Sequence, residues 1–580
     1  MQLFLYVGHN ICEISFMKKL LLFSALYVVF ISCNNDQNPF PEEKKMSVEE
    51  KDSPDTNKGI SEVADSNTGY NLSVQVPDKN ITPSNSYSDL FLDSASVESF
   101  IKRKKPGDAI ARDIRNFYFN RNYEFAWFTR DGLTEQGKGF WNLFGYSGSS
   151  KPNTLKDKKF ESRMDSLMEL QEVAIPRSDS IFISTELLLT QRFLNYLSQD
   201  LGEENPNTLV LSLYIPAKKE DPLQIAEKIL AQPIANKNFK KSDHPYTLLK
   251  NQLNKYVAIE KQGGWKPIQG SFKKLKKGNS SVIISAFKKR LQLTGDLTGS
   301  DSSKLFNESL VLAIKSLQNR NGLKPDGLIT DSLVRLLNVP VRQRISQILV
   351  NLNRMMWMPP TENGSKIEVN IPAFMLNVFE GPKKAFDMAV VVGREGTNTL
   401  MFAGDLNQIV FSPYWNIPPS IIRNEILPAM QKNPRYLKIR NMEIVKKGDT
   451  LPVIRQLPGE GNALGKIKFL FPNSFDIYFH DTELKSVFQK QNRAVSHGCI
   501  RLADAEKMAN YLLRNAPGWS SAKINAAMNS GKEQYVKLKT AVPVVITYFT
   551  VWVDENGLLN FRNDVYNRDE EIAKMMFTNT

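Results

Sequence analysis

The chain has 580 residues, of which 41% are hydrophobic and 23% are charged. This length predicts roughly two to four domains, and the composition excludes a polytopic membrane protein, a collagen and a wholly disordered chain. The 75 lysine and arginine residues outnumber the 61 aspartate and glutamate residues, so the formal net charge of +14 suits an anionic partner: nucleic acid, a membrane surface or a cell-wall polymer.

The first 33 residues have the pattern of an export signal. Met17-Lys18-Lys19 precede an apolar run over Leu20–Ile31 that is too short for a comfortable membrane-spanning helix. The run ends in Phe30-Ile31-Ser32-Cys33, which resembles a bacterial lipobox and implies cleavage before Cys33 and lipidation of its thiol. An ordinary signal peptide cut nearby, or an uncleaved anchor, is the alternative.

We therefore predict a signal peptide with a lipobox over residues 1–33, with translation starting at Met17. The protein would be a lipoprotein at the periplasmic face of the cell envelope. The next segment is poor in apolar residues, because only 12 of the 56 residues from Asn34 to Asp89 are hydrophobic. Such a segment cannot bury enough surface to offset its ordering entropy, so we predict a disordered tether over 34–95.

Residues 97–270 read as a helical scaffold domain. Val97–Ile101 and Ile110–Ile114 have helical apolar spacing, and Thr185–Leu201 places leucines and aromatic residues three or four positions apart. Aromatic residues at this spacing are more often core than ligand site, so no chemistry is assigned to this segment.

A compact helical unit follows over 281–340. A helix that carries Leu310, Ile314 and Leu317 precedes a turn rich in glycine and proline, and a second helix carries Leu333 and Leu337. This unit resembles the small three-helix peptidoglycan-binding domain found beside many wall enzymes, and a generic helical spacer is the alternative. Residues 341–362 are predicted to form a linking helix that ends at a pair of prolines.

From about residue 366 the apolar period changes to that of strands. Ile367–Ile371 alternates, and Ala373–Phe379 and Phe386–Val392 read as strands joined by a turn at Gly381-Pro382. Helical stretches interrupt these strands, at Ser420–Gln431 for example. The sequence therefore predicts a multidomain α+β chain, helical in its N-terminal half and rich in strands afterwards.

The residues suited to chemistry lie near the end of this second half. His480 follows the apolar run Phe475–Phe479, and seventeen residues later come His497 and, two positions on, Cys499. A thiol is a weak nucleophile at its free pKa of about 8.5, and a histidine within hydrogen-bond reach would activate it. A zinc site of two histidines and one cysteine, and a buried structural cysteine, are the alternatives.

These residues resemble the signature of the L,D-transpeptidase catalytic domain, and the resemblance extends over roughly residues 97–570. It is carried by the following segments: His480, Ser496–Arg501, Ser412–Pro419, Arg455–Gly459, Asn462–Gly465, Phe469, Pro472, Asn473, Tyr548–Thr550 and, in the scaffold, Asn120–Gly137. The resemblance implies a β-sandwich-like catalytic domain over 366–570, with a helical insertion at about 420–470 that caps the substrate groove.

The family mechanism implied by this resemblance uses a cysteine thiolate, with no metal and no cofactor. Carried over by position, Cys499 is the nucleophile and His480 the general base, which is oriented by the main-chain carbonyl of Asp481. His497 would polarise the substrate, and Gly498 would offer an oxyanion N–H. The family often has glycine after the base histidine, but a main-chain carbonyl role should survive the change to Asp481.

Three further residues are predicted to contact the substrate: Ser496, Arg501 and Tyr478. Of these, Ser496 and Arg501 are expected mainly to hold the loop around Cys499.

The leading functional hypothesis is a cell-wall cysteine acyltransferase. The resemblance implies attack on a tetrapeptide stem between its third residue and the terminal D-Ala, a thioester on Cys499, and transfer to a neighbouring stem amine to give 3→3 peptidoglycan cross-links. An L,D-carboxypeptidase or other hydrolase with the same residues is the alternative, as is a non-catalytic peptidoglycan-binding scaffold. The expected partners are peptidoglycan stem peptides and, through the lipid anchor, a membrane; nucleic acid is not expected, because no such motif accompanies the basic charge.

Overall fold

The computed structural model describes residues 80–148, 157–169, 179–201, 208–232, 239, 241, 244–270, 272, 275–358, 364–448 and 450–578. The predicted signal peptide, the lipidation site Cys33 and the first part of the predicted tether lie outside these residues. Among the described helices, none combines the length and apolar character needed to cross a membrane.

The ordered body begins before residue 95, where the tether was predicted to end. Ile81, Tyr87 and Leu90 are each 2% exposed, and Phe91 forms a β-bridge with Glu124. Tyr87 and Leu90 belong to the core of the scaffold. The predicted boundary is therefore wrong, because a few well-spaced apolar residues in a polar stretch suffice to dock it onto a preformed core.

The N-terminal region is helical, as predicted. Its first helix begins after Asp93, whose carboxylate accepts a hydrogen bond from the Ser96 N–H at 2.5 Å, as expected of an N-cap. A short hairpin interrupts the helices, made of strands β1 (Phe128–Thr129) and β2 (Gly132–Leu133). The helices of this region are α1 (Ser94–Lys104), α2 (Asp108–Asn120), α3 (Glu135–Gly148), α4 (Lys158–Glu169), α5 (Ser180–Leu201), α6 (Thr208–Tyr214), α7 (Pro222–Ala231) and α8 (Pro245–Lys261).

Three helices after the scaffold form a unit with a core of its own. They are α9 (Val282–Thr294), α10 (Glu308–Arg320) and α11 (Asp331–Leu337). Phe287, Leu310 and Leu333 are fully buried at its centre. The three helices lie within the predicted range of 281–340, and Ile268, before this range, belongs to the same core. The assignment of the unit as a peptidoglycan-binding domain stays a prediction.

The linking helix and the end of the chain are part of the scaffold core. Helix α12 (Val341–Met355) ends before the predicted bound of 362. Strands β15 (Val551–Val553) and β16 (Leu559–Phe561) and helix α18 (Arg568–Met576) pack into the same apolar cluster as the scaffold helices. Part of the catalytic domain predicted over 366–570 therefore packs with the scaffold. Phe549 and Phe561 lie in the scaffold core, whereas Tyr548 and Tyr566 lie in the core formed with the preceding strands.

The second half of the chain folds around one nine-stranded sheet, in the order β12-β5-β13-β11-β10-β6-β14-β3-β4. The strands of this sheet are β3 (Ser365–Asn370), β4 (Met375–Glu380), β5 (Lys383–Gly393), β6 (Phe402–Phe411), β10 (Ile467–Leu470), β11 (Phe479–His480), β12 (Ala494–Ser496), β13 (Ile500–Leu502) and β14 (Gln534–Thr547). Helices α16 (Ala505–Leu513) and α17 (Ser521–Met528) contribute to the same core.

The sheet closes on itself, which differs from the predicted β-sandwich. The long strand β5 pairs with β4 through its first part, up to Ala389, and with β13 through Val390 and Val391. One strand of eleven residues therefore joins both ends of the sheet. Strand twist accumulated over several strands makes such closure possible, and local periodicity gives no sign of it.

The predicted helical insertion is only partly helical. It contains α13 (Pro419–Ile421), a π-helical turn at Ile422–Ile426, α14 (Leu427–Lys432) and α15 (Tyr436–Ile439). Strands β7 (Trp415–Asn416), β8 (Met442–Lys446) and β9 (Val453–Gln456) then form a separate three-stranded sheet. A small core of isoleucines, which includes Ile422, Ile426 and Ile454, holds the helices and this sheet together. We call residues 415–456 the cap.

Candidate active site

Strand pairing brings the predicted base and nucleophile together. Strands β11 and β13 are parallel neighbours, with Phe479 opposite Ile500 and His480 opposite Arg501. Phe479 and Ile500 are fully buried in the core. Because side chains alternate along a strand, His480 and Arg501 share the other face, and Cys499 is the residue immediately before β13.

His480 is a neutral base with a fixed orientation. Its ring is 4% exposed, and its Nδ1 donates a hydrogen bond to the main-chain carbonyl of Asp481 at 2.6 Å. Burial, and after it the positive charge of Arg501, lower the pKa of His480, and main-chain carbonyls offset part of this; the resulting pKa is about 4. Near pH 7 the imidazole is therefore uncharged, and Nε2 is the atom that can accept a proton.

The side chain of Asp481 fixes the carbonyl that orients the base. Its carboxylate accepts a hydrogen bond from the Lys466 N–H at 3.1 Å and forms an ion pair with Lys485 at 2.8 Å. Gly465 lies directly against it, since a Cβ at Gly465 would stand 2.5 Å from Asp481 Oδ2. Asp481 stands where the family often has glycine. Its carboxylate thus anchors the same residue whose main-chain carbonyl accepts the hydrogen bond from His480.

Cys499 is a protonated thiol in the resting site. Its Sγ lies 3.6 Å from the carbonyl of Asp476 and donates to it. Burial raises the pKa of the thiol, and hydrogen bonds from the main chain and hydroxyl of Tyr478, together with the charge of Arg501, lower it in part. The sequence places Tyr478 among the substrate contacts, and the structure places its hydroxyl beside the thiol.

The loop before Cys499 is held by hydrogen bonds of its own. Ser496 is 1% exposed; its hydroxyl donates to the Cys499 carbonyl at 2.6 Å and accepts from the Gly498 N–H at 3.2 Å. The Gly498 carbonyl accepts from the Thr399 hydroxyl at 2.6 Å, and Gly498 has a φ of +116°, which favours glycine.

These contacts bear on two of the predicted roles. Ser496 is buried within the loop and its hydroxyl bonds hold the loop, as mainly expected of it; its contact with a substrate stays a prediction. The Gly498 N–H donates to the Ser496 hydroxyl in this structure, and its predicted role towards an oxyanion stays a prediction. Within the described part of the chain, no group accepts a hydrogen bond from the Cys499 N–H.

His497 faces two charged residues of opposite sign. Its Nε2 lies 2.8 Å from Oε1 of Glu425, in the π-helical turn of the cap, and 3.3 Å from Nη2 of Arg394, which follows β5. The His497 side chain is 36% exposed and that of Glu425 is 50% exposed. The cap therefore touches the catalytic loop at a residue two positions from the nucleophile.

Comparison with known proteins identifies this part of the chain. Residues 364–546 match the family model of the L,D-transpeptidase catalytic domain, and residues 112–253 match that of the Scaffold domain. The chain carries an L,D-transpeptidase catalytic domain. The relationship of the three-helix unit over 281–340 to peptidoglycan-binding domains stays a prediction from its sequence.

Individual relatives are distant. A curated Haemophilus influenzae protein, provisionally assigned as an L,D-transpeptidase, is 30% identical over 287 residues, 47% of this chain and 57% of its own length. A solved L,D-transpeptidase from Mycobacterium smegmatis is 13% identical over 32% of this chain and 58% of its own, with a TM-score of 0.18. A solved L,D-transpeptidase from Stackebrandtia nassauensis is 14% identical, and the match covers 48% of this chain and 97% of that protein, with a TM-score of 0.21. The chain thus spans somewhat over half the length of the Haemophilus influenzae protein and of the Mycobacterium smegmatis protein.

Arg501 places a positive charge beside the predicted base and nucleophile. It is half-buried, its Nε has no hydrogen-bond partner within the described residues, and burial lowers its pKa. Its charge lowers the pKa of both His480 and Cys499. Arg501 therefore acts on the catalytic pair electrostatically, a role beyond the loop-holding and substrate contacts expected of it.

The sequence gives no sign of three residues that the fold adds to the site. Glu425 lies in the cap, and Arg394 follows a strand more than 100 positions before Cys499. The Asp476 carbonyl accepts from the Cys499 thiol, and the charge of the Asp476 side chain contributes to raising the pKa of that thiol. None carries a motif. The zinc alternative finds no support, since no group of three or more histidine, cysteine or acidic side chains in the described segments is placed to hold a metal ion.

Proposed function

We propose that the protein is a peptidoglycan L,D-transpeptidase that forms 3→3 cross-links between stem peptides through a thioester on Cys499. The observation that carries this proposal is the catalytic pair itself. A neutral His480, locked by the Asp481 carbonyl, lies on the strand next to Cys499 within a segment that matches the L,D-transpeptidase catalytic domain.

The first half of the reaction would be acylation. The Cys499 sulfur attacks the carbonyl carbon between the third residue and D-Ala, and the thiol proton passes to Nε2 of His480. The oxyanion forms against the Cys499 N–H. Collapse of the tetrahedral intermediate breaks the C–N bond, the His480 proton moves to the departing amine, and D-Ala leaves a thioester behind.

The second half would be transfer. The amine of a neighbouring stem attacks the thioester carbonyl and loses a proton to His480, and the C–S bond breaks as the thiolate regains that proton. A resting pair of thiol and neutral imidazole suits this cycle, because both halves begin and end without a net charge on the pair. The low pKa of His480 makes it a reluctant base alone, so charge developing on the oxyanion must drive the proton transfer.

Intact-protein mass spectrometry of the full chain tests this proposal. Tetrapeptide-stem muropeptides should give a covalent adduct and 3→3 dimers, and a carbapenem should give a stable adduct. Cys499→Ala should lose both, while Cys33→Ala, which leaves Cys499 in place, should keep both. An adduct that yields only tripeptides would establish the hydrolase instead, and a folded protein that forms no adduct would support the non-catalytic scaffold.

We also propose that the protein works at the periplasmic face of the envelope, held to a membrane by a lipid on Cys33. The support is the charge, apolar run and lipobox-like end of residues 17–33. Fractionation of cells that express Cys33→Ala tests this directly. The variant should move to the soluble periplasmic fraction, and unchanged membrane association would refute the anchor.

A further inference from the structure

The main-chain carbonyl of Gly498 is held by a hydroxyl group that has no role in the mechanism above. Thr399 Oγ1 donates to this carbonyl at 2.6 Å and accepts a hydrogen bond from the Gly393 N–H at 2.9 Å. A hydroxyl has one proton to donate. Because the Gly393 N–H is itself a donor, that proton goes to the Gly498 carbonyl. Thr399 is 0% exposed, so bulk water does not reach either bond.

This hydrogen bond sets the direction of the Cys499 N–H. The Gly498 carbonyl and the Cys499 N–H belong to one planar trans peptide group, in which C=O and N–H point in opposite directions. Thr399 holds the oxygen on one side, so the N–H is directed to the other side, away from Thr399. No acceptor for this N–H lies among the described residues.

The peptide group after Gly498 needs such a restraint. Gly498 has a φ of +116°, and a Cβ built on it would meet no atom closer than 3.9 Å. A residue without a Cβ permits a wide range of backbone angles, so neither its own side chain nor close packing prevents rotation of the peptide group. A flip would exchange the directions of the C=O and the N–H, and it would break the hydrogen bond from Thr399.

Thr399 is itself held by a residue from beyond the segment that matches the catalytic domain. The Tyr566 hydroxyl donates to the Gly393 carbonyl at 2.6 Å and accepts from the Thr399 N–H at 3.3 Å. Tyr566 is 6% exposed and Gly393 ends strand β5. The turn from Gly393 to Thr399 is therefore fixed at both of its ends.

We propose that Thr399 is a positioning residue for the oxyanion: its hydroxyl fixes the peptide group between Gly498 and Cys499 so that the Cys499 N–H faces the oxyanion. Tyr566 holds Thr399 in that position. This rests on the proposed function, in which a carbonyl oxygen becomes negatively charged when Cys499 attacks. The hydrogen bond to the peptide oxygen also polarises the N–H of the same group and makes it a stronger donor.

Two electrophiles that react with the same thiol test this proposal on the full-length protein. A carbapenem acylates Cys499: the C–S bond forms, a negative charge develops on the lactam oxygen, and the ring C–N bond breaks as the thiol proton passes to the ring nitrogen. Iodoacetamide alkylates the thiol at a saturated carbon and releases iodide and a proton, without an oxyanion. Thr399→Val should lower the rate constant of acylation by about tenfold to a hundredfold and leave that of alkylation unchanged.

Two variants are matched controls. Thr399→Ser keeps the hydroxyl and should acylate as fast as the wild type. Thr397→Val removes a neighbouring hydroxyl that donates to the Ser496 carbonyl at 3.1 Å, a carbonyl that also accepts from the Arg394 N–H at 2.9 Å. Because this carbonyl belongs to a different peptide group, Thr397→Val should also acylate at the wild-type rate.

The comparison of the two reactions can overturn the proposal. If Thr399→Val slowed acylation and alkylation equally, or slowed neither, Thr399 would have no role specific to the oxyanion. Tyr566→Phe removes the outer hydroxyl and should slow acylation selectively by about threefold. It carries the same comparison if Thr399→Val does not fold, and an equal effect on both reactions, or none, would again overturn the proposal.

NMR separates this proposal from the proposed function. The full chain has three cysteines, so ¹⁵N-cysteine labelling gives few signals, and Cys499→Ser identifies that of Cys499. Loss of a hydrogen bond at the preceding carbonyl should move the Cys499 ¹⁵N signal upfield in Thr399→Val and not in Thr397→Val. An unshifted signal would overturn the positioning role, whatever the turnover. A shifted signal in a protein that neither carbapenem nor muropeptide acylates would refute the transpeptidase and keep the restraint on the peptide group.

Discussion

The protonation of His480 should link catalysis and stability, and it can be measured directly. The pKa of His480 is about 4 in the folded protein, against 6.5 for an ordinary histidine. Between these values the unfolded chain binds the proton that the folded site refuses, so stability rises with pH across this window. The stabilisation is complete above pH 6.5 and is lost as the pH falls through 4.

The size of this change in stability follows from the difference between the pKa of His480 in the unfolded chain and its pKa in the folded protein. That pKa difference corresponds to about 3 kcal/mol of unfolding free energy. His480→Gln keeps a side chain of similar size and polarity but cannot titrate. We therefore expect the loss of stability between pH 7 and pH 4 to be about 3 kcal/mol smaller in the variant than in the wild type.

Amide hydrogen exchange is the suitable assay, since a multidomain chain need not unfold in one step. The Asp481 N–H bonds to the Ile467 carbonyl and the Ile500 N–H to the Tyr478 carbonyl, so both report on the strands at the site. NMR of ¹³Cε1-labelled histidine gives the titration itself. A His480 that titrates near pH 6.5, or parallel stability profiles in wild type and variant, would refute the reasoning.

Two other predictions follow from contacts at the pair. Gly465→Ala would place a Cβ against the Asp481 carboxylate, whereas a Cβ at Gly461, which also has a positive φ, would meet nothing within 4 Å. Denaturant unfolding of the two variants should therefore show Gly465→Ala to be less stable than Gly461→Ala by about 2 kcal/mol. Equal stability of the two variants would contradict the clash. Tyr478→Phe removes a hydroxyl that lowers the pKa of the Cys499 thiol; the rate of iodoacetamide labelling at pH 7 should fall about tenfold, and a rate as fast as wild type would contradict it.

The sequence predicted those parts of the site that are local. The apolar run before His480 and the short spacing from His497 to Cys499 identified the pair, and strand alternation identified Ile367–Ile371 and its neighbours. A main-chain carbonyl role for Asp481 needs no particular side chain, so it could be carried over despite the departure from glycine. The 2.6 Å contact with His480 has this geometry.

The features that the sequence did not predict depend on contacts between residues that are far apart in the chain. Closure of the sheet through β5 and entry of Tyr87 into the scaffold core leave no mark on local periodicity. The same holds for the meeting of Glu425 with His497, which are 72 positions apart. Nothing in the sequence indicated that the Gly498 N–H donates to the Ser496 hydroxyl two residues earlier.

The shared core of the scaffold and the chain's end limits how this protein can be divided. Phe549, Phe561 and Met576 are buried among scaffold side chains, although they follow the segment that matches the catalytic domain. If the catalytic segment were excised together with these residues, their apolar side chains would be exposed to water. The scaffold that remained would then lack part of its core. Limited proteolysis should therefore release the scaffold and the catalytic segment together as one fragment. An inhibitor screen against the isolated catalytic segment would use a protein that lacks the scaffold side chains against which the end of the chain packs.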